Sequence, residues 1–363
     1  MRILVDLGHP AHFHLLKHAI VHLRRDNDVV VVARQKDCLP DLLAQENIPF
    51  HLVPRRGLGL AALGGEALRA LALGLRLAWR KPFDLLIGNS IVIGPLARMT
   101  GGISVVFNED DCRAVPLQAF LAYRPAHYVV TPRCLKFENY GLKHLTYGGY
   151  EEMAYLHPNR FRPDPSVRGE LGLGDGERFF VVRLVALIAH HDIGQKGLSH
   201  AQARQIVDRL AREGKVFLSA ESCVDDDLRP FLLPTPASRF PHVLAAADLV
   251  VGDSQTVTAE AAVLGTPALR CNTFVGRLAY LEELEHRYGL TKGFLPNQFD
   301  ALMAQLEAWL SQPDLKPAWR ARRKKMLADS VDLTDWILDL LHRLGLRQET
   351  HGARPGWAPV AAR

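Results

Sequence analysis

Apolar runs too short to be helices recur along the chain, and each breaks into a polar stretch before a segment of helical period. Arg2–Leu7 is the first, and it opens into Gly8, His9, Pro10, Ala11 and His12. Leu15, Leu16, Ala19, Ile20 and Leu23 then share one face of a helix. Residues 28–33 read as a second strand, so the chain starts with a βαβ unit. Apolar runs over 84–88, 103–107 and 126–131 continue the alternation. Asn89 with Ser90, and Asn108 with Glu109, Asp110 and Asp111, follow two of these runs. They fall at the carboxyl ends of strands, where a parallel sheet meets its ligands. A second series begins with the apolar run 179–189, passes through His190, His191 and Lys196, and enters a helix expected over 201–212.

The most informative stretch is 248–270. Residues 248–252 read as a buried strand, and Asp253, Ser254, Gln255 and Thr256 as a polar turn suited to capping a helix. Ala259, Glu260, Ala261, Ala262 and Leu264 are good helix formers, stopped by Gly265 and Pro267, with the next strand expected over 266–270. Such a turn favours an anion, because unpaired backbone N–H groups and the helix dipole both point into it. Glu260 is expected in the first turn of that helix, where a carboxylate repels a diphosphate. It is therefore read as an acceptor for neutral hydroxyls such as a ribose diol, with simple dipole complementation as the alternative.

Composition narrows the classes. A chain of 363 residues is long enough for two domains with real cores. Its net charge of +5 is too mild to argue for nucleic acid. The five cysteines are far apart and form no Cys-x-x-Cys pair, so the reading is a reducing, cytoplasmic compartment without disulfides or structural zinc. No run of about 18 apolar residues is present for a membrane span, and the opening run reads as a strand, not a signal peptide. The segment 58–79 is apolar and helical, with Arg55, Arg56, Arg69, Arg76, Arg80 and Lys81 along or beside it. It reads first as a cover for the sheet and second as a helix resting on an anionic inner membrane face. Three histidines near the first strand and the acidic runs 109–111 and 225–227 are all discounted as metal sites. The proline-rich piece 161–165 reads as a linker, and the chain from Arg347 on, without periodicity, as disordered.

Asp253, Ser254, Glu260, Leu264, Gly265 and Pro267 carry a resemblance. The segment resembles the nucleotide-binding turn of UDP-N-acetylglucosamine 2-epimerases, with Gln255-Thr256 in place of Gly-Gly. It is also similar to two-domain GT-B glycosyltransferases, including the one that makes lipid-linked peptidoglycan precursor. Over nearly the whole chain the sequence resembles domain-of-unknown-function family 354. The resemblance implies a GT-B-like α/β fold: two Rossmann-like αβα domains facing a cleft, with a C-terminal helix crossing back to the first. The expected boundaries are 1–160 for the acceptor-side domain, 177–315 for the nucleotide-sugar-binding domain, 316–346 for the bridging helices and 347–363 for the tail.

The resemblance further implies that Glu109 matches an epimerase catalytic glutamate and that His190 or His191 serves the diphosphate end of the substrate. The loop with Gly8, His9 and His12 takes a substrate-side place, with His12 or Glu109 as the base toward an acceptor hydroxyl. Asn89, Lys196 and Arg270 are further substrate-side candidates. Residues 240–248 resemble the element that holds the base. The expected activity is glycosyl transfer from a nucleotide-sugar, UDP-linked, to a glycan or lipid-linked acceptor in surface-polysaccharide synthesis. No separate cofactor is expected, since the nucleotide-sugar is the substrate. A 2-epimerase-like enzyme and a non-catalytic nucleotide-sugar-binding protein are the alternatives.

Overall fold

The computed structural model describes residues 1–36, 38–54, 60–112, 116–135, 139–185 and 196–350, with backbone alone for 60–61 and 346–350. The chain divides into two compact units. The first holds Met1–Tyr155 and the chain from Val331 on, and the second holds Leu156–Ser330.

In the first unit the strands are β1 (Arg2–Leu7), β2 (Asp28–Arg34), β3 (Phe50–Val53), β4 (Leu85–Gly88), β5 (Ile103–Phe107), β6 (Tyr128–Pro132) and β7 (His144–Tyr147). They form one parallel sheet in the order β3-β2-β1-β4-β5-β6-β7. β4 and β5 are buried throughout, which is why they read as near-continuous apolar runs, broken only by Ser104, instead of alternating ones. The helices are α1 (Pro10–Leu23), α2 (Leu39–Gln45), α3 (Leu60–Arg80), α4 (Ile93–Thr100), α5 (Pro116–Gln118) and α6 (Met153–Leu156). α5 runs on as a π-helical turn over Ala119–Tyr123. Right-handed crossovers put α1 and α2 on one face of this sheet and α3, α4 and α5 on the other. Ala70, Leu96 and Ala122 from the second group meet in one buried cluster with Leu86 and Val106 of the sheet.

The second unit carries α7 (Val167–Glu170), β8 (Phe179–Leu184), α8 (His200–Leu210), β9 (Lys215–Ala220), α9 (Phe240–Ala246), β10 (Leu249–Gly252) and α10 (Gln255–Leu264). β11 (Ala268–Cys271), α11 (Ala279–His286), β12 (Thr291–Phe294), α12 (Phe299–Leu310) and α13 (Leu315–Ala328) complete it. Its sheet is parallel, in the order β12-β11-β10-β8-β9.

The two C-terminal helices part company. α13 stays with the second unit: Trp319 is buried, its Nε1 donates to Leu290 O at 2.7 Å, and its ring lies 4.7 Å from that of Trp309. α14 (Leu333–Thr350) belongs to the first unit and packs on α1. Its buried stripe is Leu333, Ile337, Leu340, Leu341 and Leu344, and Gly345 makes room for the Met1 side chain. Helix thus continues past Arg347, where the sequence reading expected it to end; residues 351–363 lie outside the described ones. Among the described residues no helix is long and apolar enough to cross a membrane.

Candidate functional site

β10 ends in Gly252, and Ser254 caps α10 with its hydroxyl, which accepts the Val257 N–H at 3.2 Å. Gln255 and Thr256 are the first two residues of the helix and not part of a preceding turn. The backbone N–H groups of Ser254, Gln255 and Thr256 donate to no described residue. Three orphan donors at the positive end of a ten-residue helix make an anion seat, and Gln255 and Thr256 are half-buried there. Glu260 lies in the second turn of α10 and is buried, which corrects the first-turn reading. The earlier helix start accounts for the difference. Ser254 supplies the cap, so the polar residues after it are already helical.

Asp253 has a different task. Its carboxylate accepts the N–H of Val185 at 2.9 Å and of Leu198 at 3.2 Å, so it ties together both flanks of the segment between β8 and α8. Gly197 lies against it so closely that a Cβ would sit 2.3 Å from Oδ2. Burial raises the Asp253 pKa to about 6 despite these hydrogen bonds. Lys196 is joined to the loop after β11 by two backbone bonds, its N–H to Thr273 Oγ1 and its carbonyl from the Thr273 N–H, each 3.0 Å. Its side chain is exposed. His190 and His191 lie outside the described residues.

Arg270 is fully enclosed, at 0% exposure, so it meets no solvent-borne group in this state. None of its three guanidinium nitrogens makes a hydrogen bond, and a Glu282 carboxylate oxygen stands 3.5 Å from Nη2. Desolvation lowers its pKa, against the charges of Tyr280, Glu282 and Glu285.

In the first unit the strand ends gather a second set. Gly88, at φ 148, lets β4 pass so close to β1 that a Cβ would lie 2.2 Å from Asp6 O. This brings Ser90 onto Asp6, whose carboxylate also binds Arg34 in bidentate fashion at 2.6 and 2.9 Å. The sequence reading did not single out this buried triad. Its signal was present in an aspartate inside an otherwise apolar strand and an arginine ending the next one.

His9 caps α1, accepting the Ala11 N–H on Nδ1. His12 Nδ1 accepts the Gly8 N–H at 3.3 Å, and Nε2 lies 3.2 Å from the Asn89 amide. Gln118 holds Asn89 from the other side. Burial, then the charges of Lys36 and Arg34, lower the His12 pKa to about 4. The ring is therefore neutral near pH 7, and because both facing groups are N–H donors it accepts from only one of them. His14 faces Phe13 and Tyr155 and not His12.

Glu109 accepts the Glu151 N–H at 3.4 Å. Glu151 and Glu152 are buried beside it, at the carboxyl ends of β5 and β7. Burial, then the charges of Glu152 and Asp110, raise the Glu109 pKa well above the usual carboxylate range. Burial and the facing Glu109 and Asp110 do the same to Glu151. Tyr147 OH and Glu151 Oε1 are buried without a hydrogen-bond partner among the described residues. This is a cluster of buried acids that hold their protons more tightly than ordinary carboxylates. Tyr147 and Glu151 were missed because they end and follow a short edge strand, β7, with no apolar run to mark it.

Among the described residues the one group spaced for a metal ion is His200, Asp225 and Asp227, all exposed. His200 Nδ1 and Nε2 there face the Asp225 and Asp227 carboxylates at 2.9 and 3.3 Å. A surface hollow at the amino end of the first sheet is lined by Arg2, Asp28 and Asp84, away from the strand ends that carry Ser90 and Glu109.

No protein-family model matches the chain and no curated protein matches it, so the expected membership of family 354 is not shown. Solved structures do match. One is a UDP-GlcNAc 2-epimerase from Neisseria meningitidis bound to UDP-GlcNAc, with TM-score 0.65, 11% identity and coverage of 94% of this chain and 100% of that one. The glycotransferase of kitacinnamycin gives 0.62 at 15% identity, covering 94% and 98%. MurG from Acinetobacter baumannii gives 0.61 at 13% identity, covering 94% and 100%. At such identities the likeness is one of fold. With its two parallel sheets and matches over nearly the full chain, the protein has the two-domain, Rossmann-like GT-B fold.

Proposed function

We propose that the protein is a glycosyltransferase that takes its sugar from a nucleotide-linked donor, a UDP-sugar, and works in the synthesis of surface polysaccharide or a related glycan. One observation carries the reading: the orphan N–H groups of Ser254, Gln255 and Thr256 at the start of α10, beside the central strands of the second sheet. A diphosphate accepts from such donors, and each charge-assisted bond contributes about 1.5–3 kcal/mol. Glu260, in the turn below, is assigned to the ribose hydroxyls. Structures of like fold hold UDP-GlcNAc or UDP, which supports the donor class.

The acceptor needs a base. Glu109 is the better supported of the two candidates. Its basicity is raised by burial and by neighbouring acids, whereas His12 has a lowered pKa and its one acceptor nitrogen faces a backbone or amide N–H.

The test has two stages. UDP or a UDP-sugar is expected to raise the melting temperature, as a ligand of the folded state must. Glu260→Gln is expected to weaken UDP more than its 2′-deoxy analogue. Incubation with UDP-N-acetylglucosamine in heavy water then separates the chemistries. Acceptor-dependent UDP release without deuterium at C2 supports a transferase, and that release should fall in Glu109→Gln. Deuterium at C2 without acceptor refutes the transferase in favour of the epimerase. Binding with neither outcome leaves a nucleotide-sugar-binding protein, and no stabilisation by any nucleotide refutes the whole reading.

A further inference from the structure

We propose that the outer surface of α3, α4 and α5 is a docking face for an anionic lipid bilayer. These helices cover one face of the first sheet and share its buried core, so their outward sides form one layer. α3 is two-sided. Ala70 and Ala78 are buried and Leu71 packs on the same core, while Leu68, Ala72, Arg76 and Trp79 form an exposed stripe at helical spacing. Trp79 is 91% exposed and Leu68 68%. Met99 on α4 and Leu117 and Phe120 on α5 and its π-helical turn extend the apolar area, at 60%, 59% and 54% exposure.

Single exposed apolar side chains need no explanation. Here most of the large exposed ones among the described residues lie on this one layer, with only Val21, Leu52, Leu142 and Leu232 elsewhere.

Charge selects the occupant. The layer exposes Arg76, Arg80, Arg98 and Arg124 against one acid, Glu66, and Glu66 is ion-paired with Arg34 at 3.4 Å. An apolar strip with a tryptophan at its end and arginines but no free carboxylate along it matches the boundary of an anionic bilayer. Aromatic rings sit at headgroup level there, and guanidinium groups reach lipid phosphates. α3, 21 residues long and thus roughly 32 Å, would lie along the surface and not through it. The face belongs to the first unit and the α10 anion seat to the second, so it does not depend on the transferase reading. A lipid-linked acceptor would nevertheless be met at such a face.

The full chain is sedimented with vesicles of phosphatidylcholine alone, and with vesicles that also contain phosphatidylglycerol. Binding is expected only to the mixed vesicles, and it should fall as salt rises. Acyl-brominated lipid should quench tryptophan fluorescence in the wild type, and Trp79→Ser should remove that quenching. Arg76→Gln with Arg80→Gln should lower the partition coefficient about thirtyfold, from the usual contribution of a basic residue at such a surface. Both arginines are exposed, so an unchanged melting curve separates lost docking from lost folding. No binding to mixed vesicles at low salt overturns the proposal, as does binding that these variants leave intact. A concentration-dependent dimer abolished by Trp79→Ser, without vesicle binding, gives the face to a second copy of the chain instead.

Discussion

Replacing Asp253 by asparagine sets burial of a charge against loss of a hydrogen bond, and the balance turns on pH. The carboxyl is 3% exposed, and its folded pKa of about 6 stands above the ordinary 3.8. A raised folded pKa means that the folded state holds the proton more tightly. The associated stability is fully present below 3.8 and is lost as pH rises through 6. At about 1.4 kcal/mol per pKa unit, the full effect is about 3 kcal/mol, and about 1.4 kcal/mol of it is regained between pH 8 and pH 5. Asparagine cannot titrate. It also presents one oxygen where two backbone N–H groups, those of Val185 and Leu198, now each have one. An abandoned buried donor costs about 1–3 kcal/mol. Asp253→Asn should therefore be nearly neutral at pH 8 and clearly destabilising at pH 5. Urea unfolding of both proteins at both pH values measures this, because the double difference cancels every other titrating group. A stability gap that stays constant, or narrows toward acid, refutes the reasoning. It would mean that the two N–H groups stabilise the charge more than burial penalises it.

Two further predictions use other buried charges. Glu151→Gln removes a negative charge facing Glu109, so the Glu109 pKa should fall. The raised pKa values make stability decline as pH rises; that decline between pH 5 and pH 9 should shrink in the variant, and an unchanged melting-temperature profile refutes the coupling. Arg270→Met puts a flexible apolar side chain of similar volume, though shorter, in place of a desolvated charge that makes no hydrogen bond among the described residues, and the Glu282 left behind is 27% exposed and can be hydrated. The melting temperature should hold or rise by a few degrees, and a clear fall shows that the pairing with Glu282 outweighs the desolvation.

The sequence by itself determined the inner strands and the fold class. β1, β2, β4, β5, β6, β8, β10 and β11 have a neighbour on each side in the sheet, so each is mostly apolar, with polar residues such as Asp6 and Arg270 as exceptions, and can be read directly. The strands it did not reveal, β3, β7, β9 and β12, are the four edges of the two sheets. Their burial is patchy because one side has no neighbour, and the apolar signal goes with it. The anion seat was legible because a capping serine, a helix-forming run and a closing glycine are all local. What Asp253, His12 and Arg270 touch was not. Asp253 reaches Val185, 68 residues away, and His12 reaches Asn89, 77 residues away. Arg270 lies against Glu282 of α11. A polar residue beside a strand end can serve a ligand, a loop or a neighbouring helix equally well on local grounds. Only the packing of distant segments decides which partner arrives first, and with it whether the group stays charged. The outer stripe of α3 shows the same division. Its amphipathic period follows from sequence alone, but that Trp79 and Leu68 stay uncovered by any described element depends on where α4 and α5 come to rest.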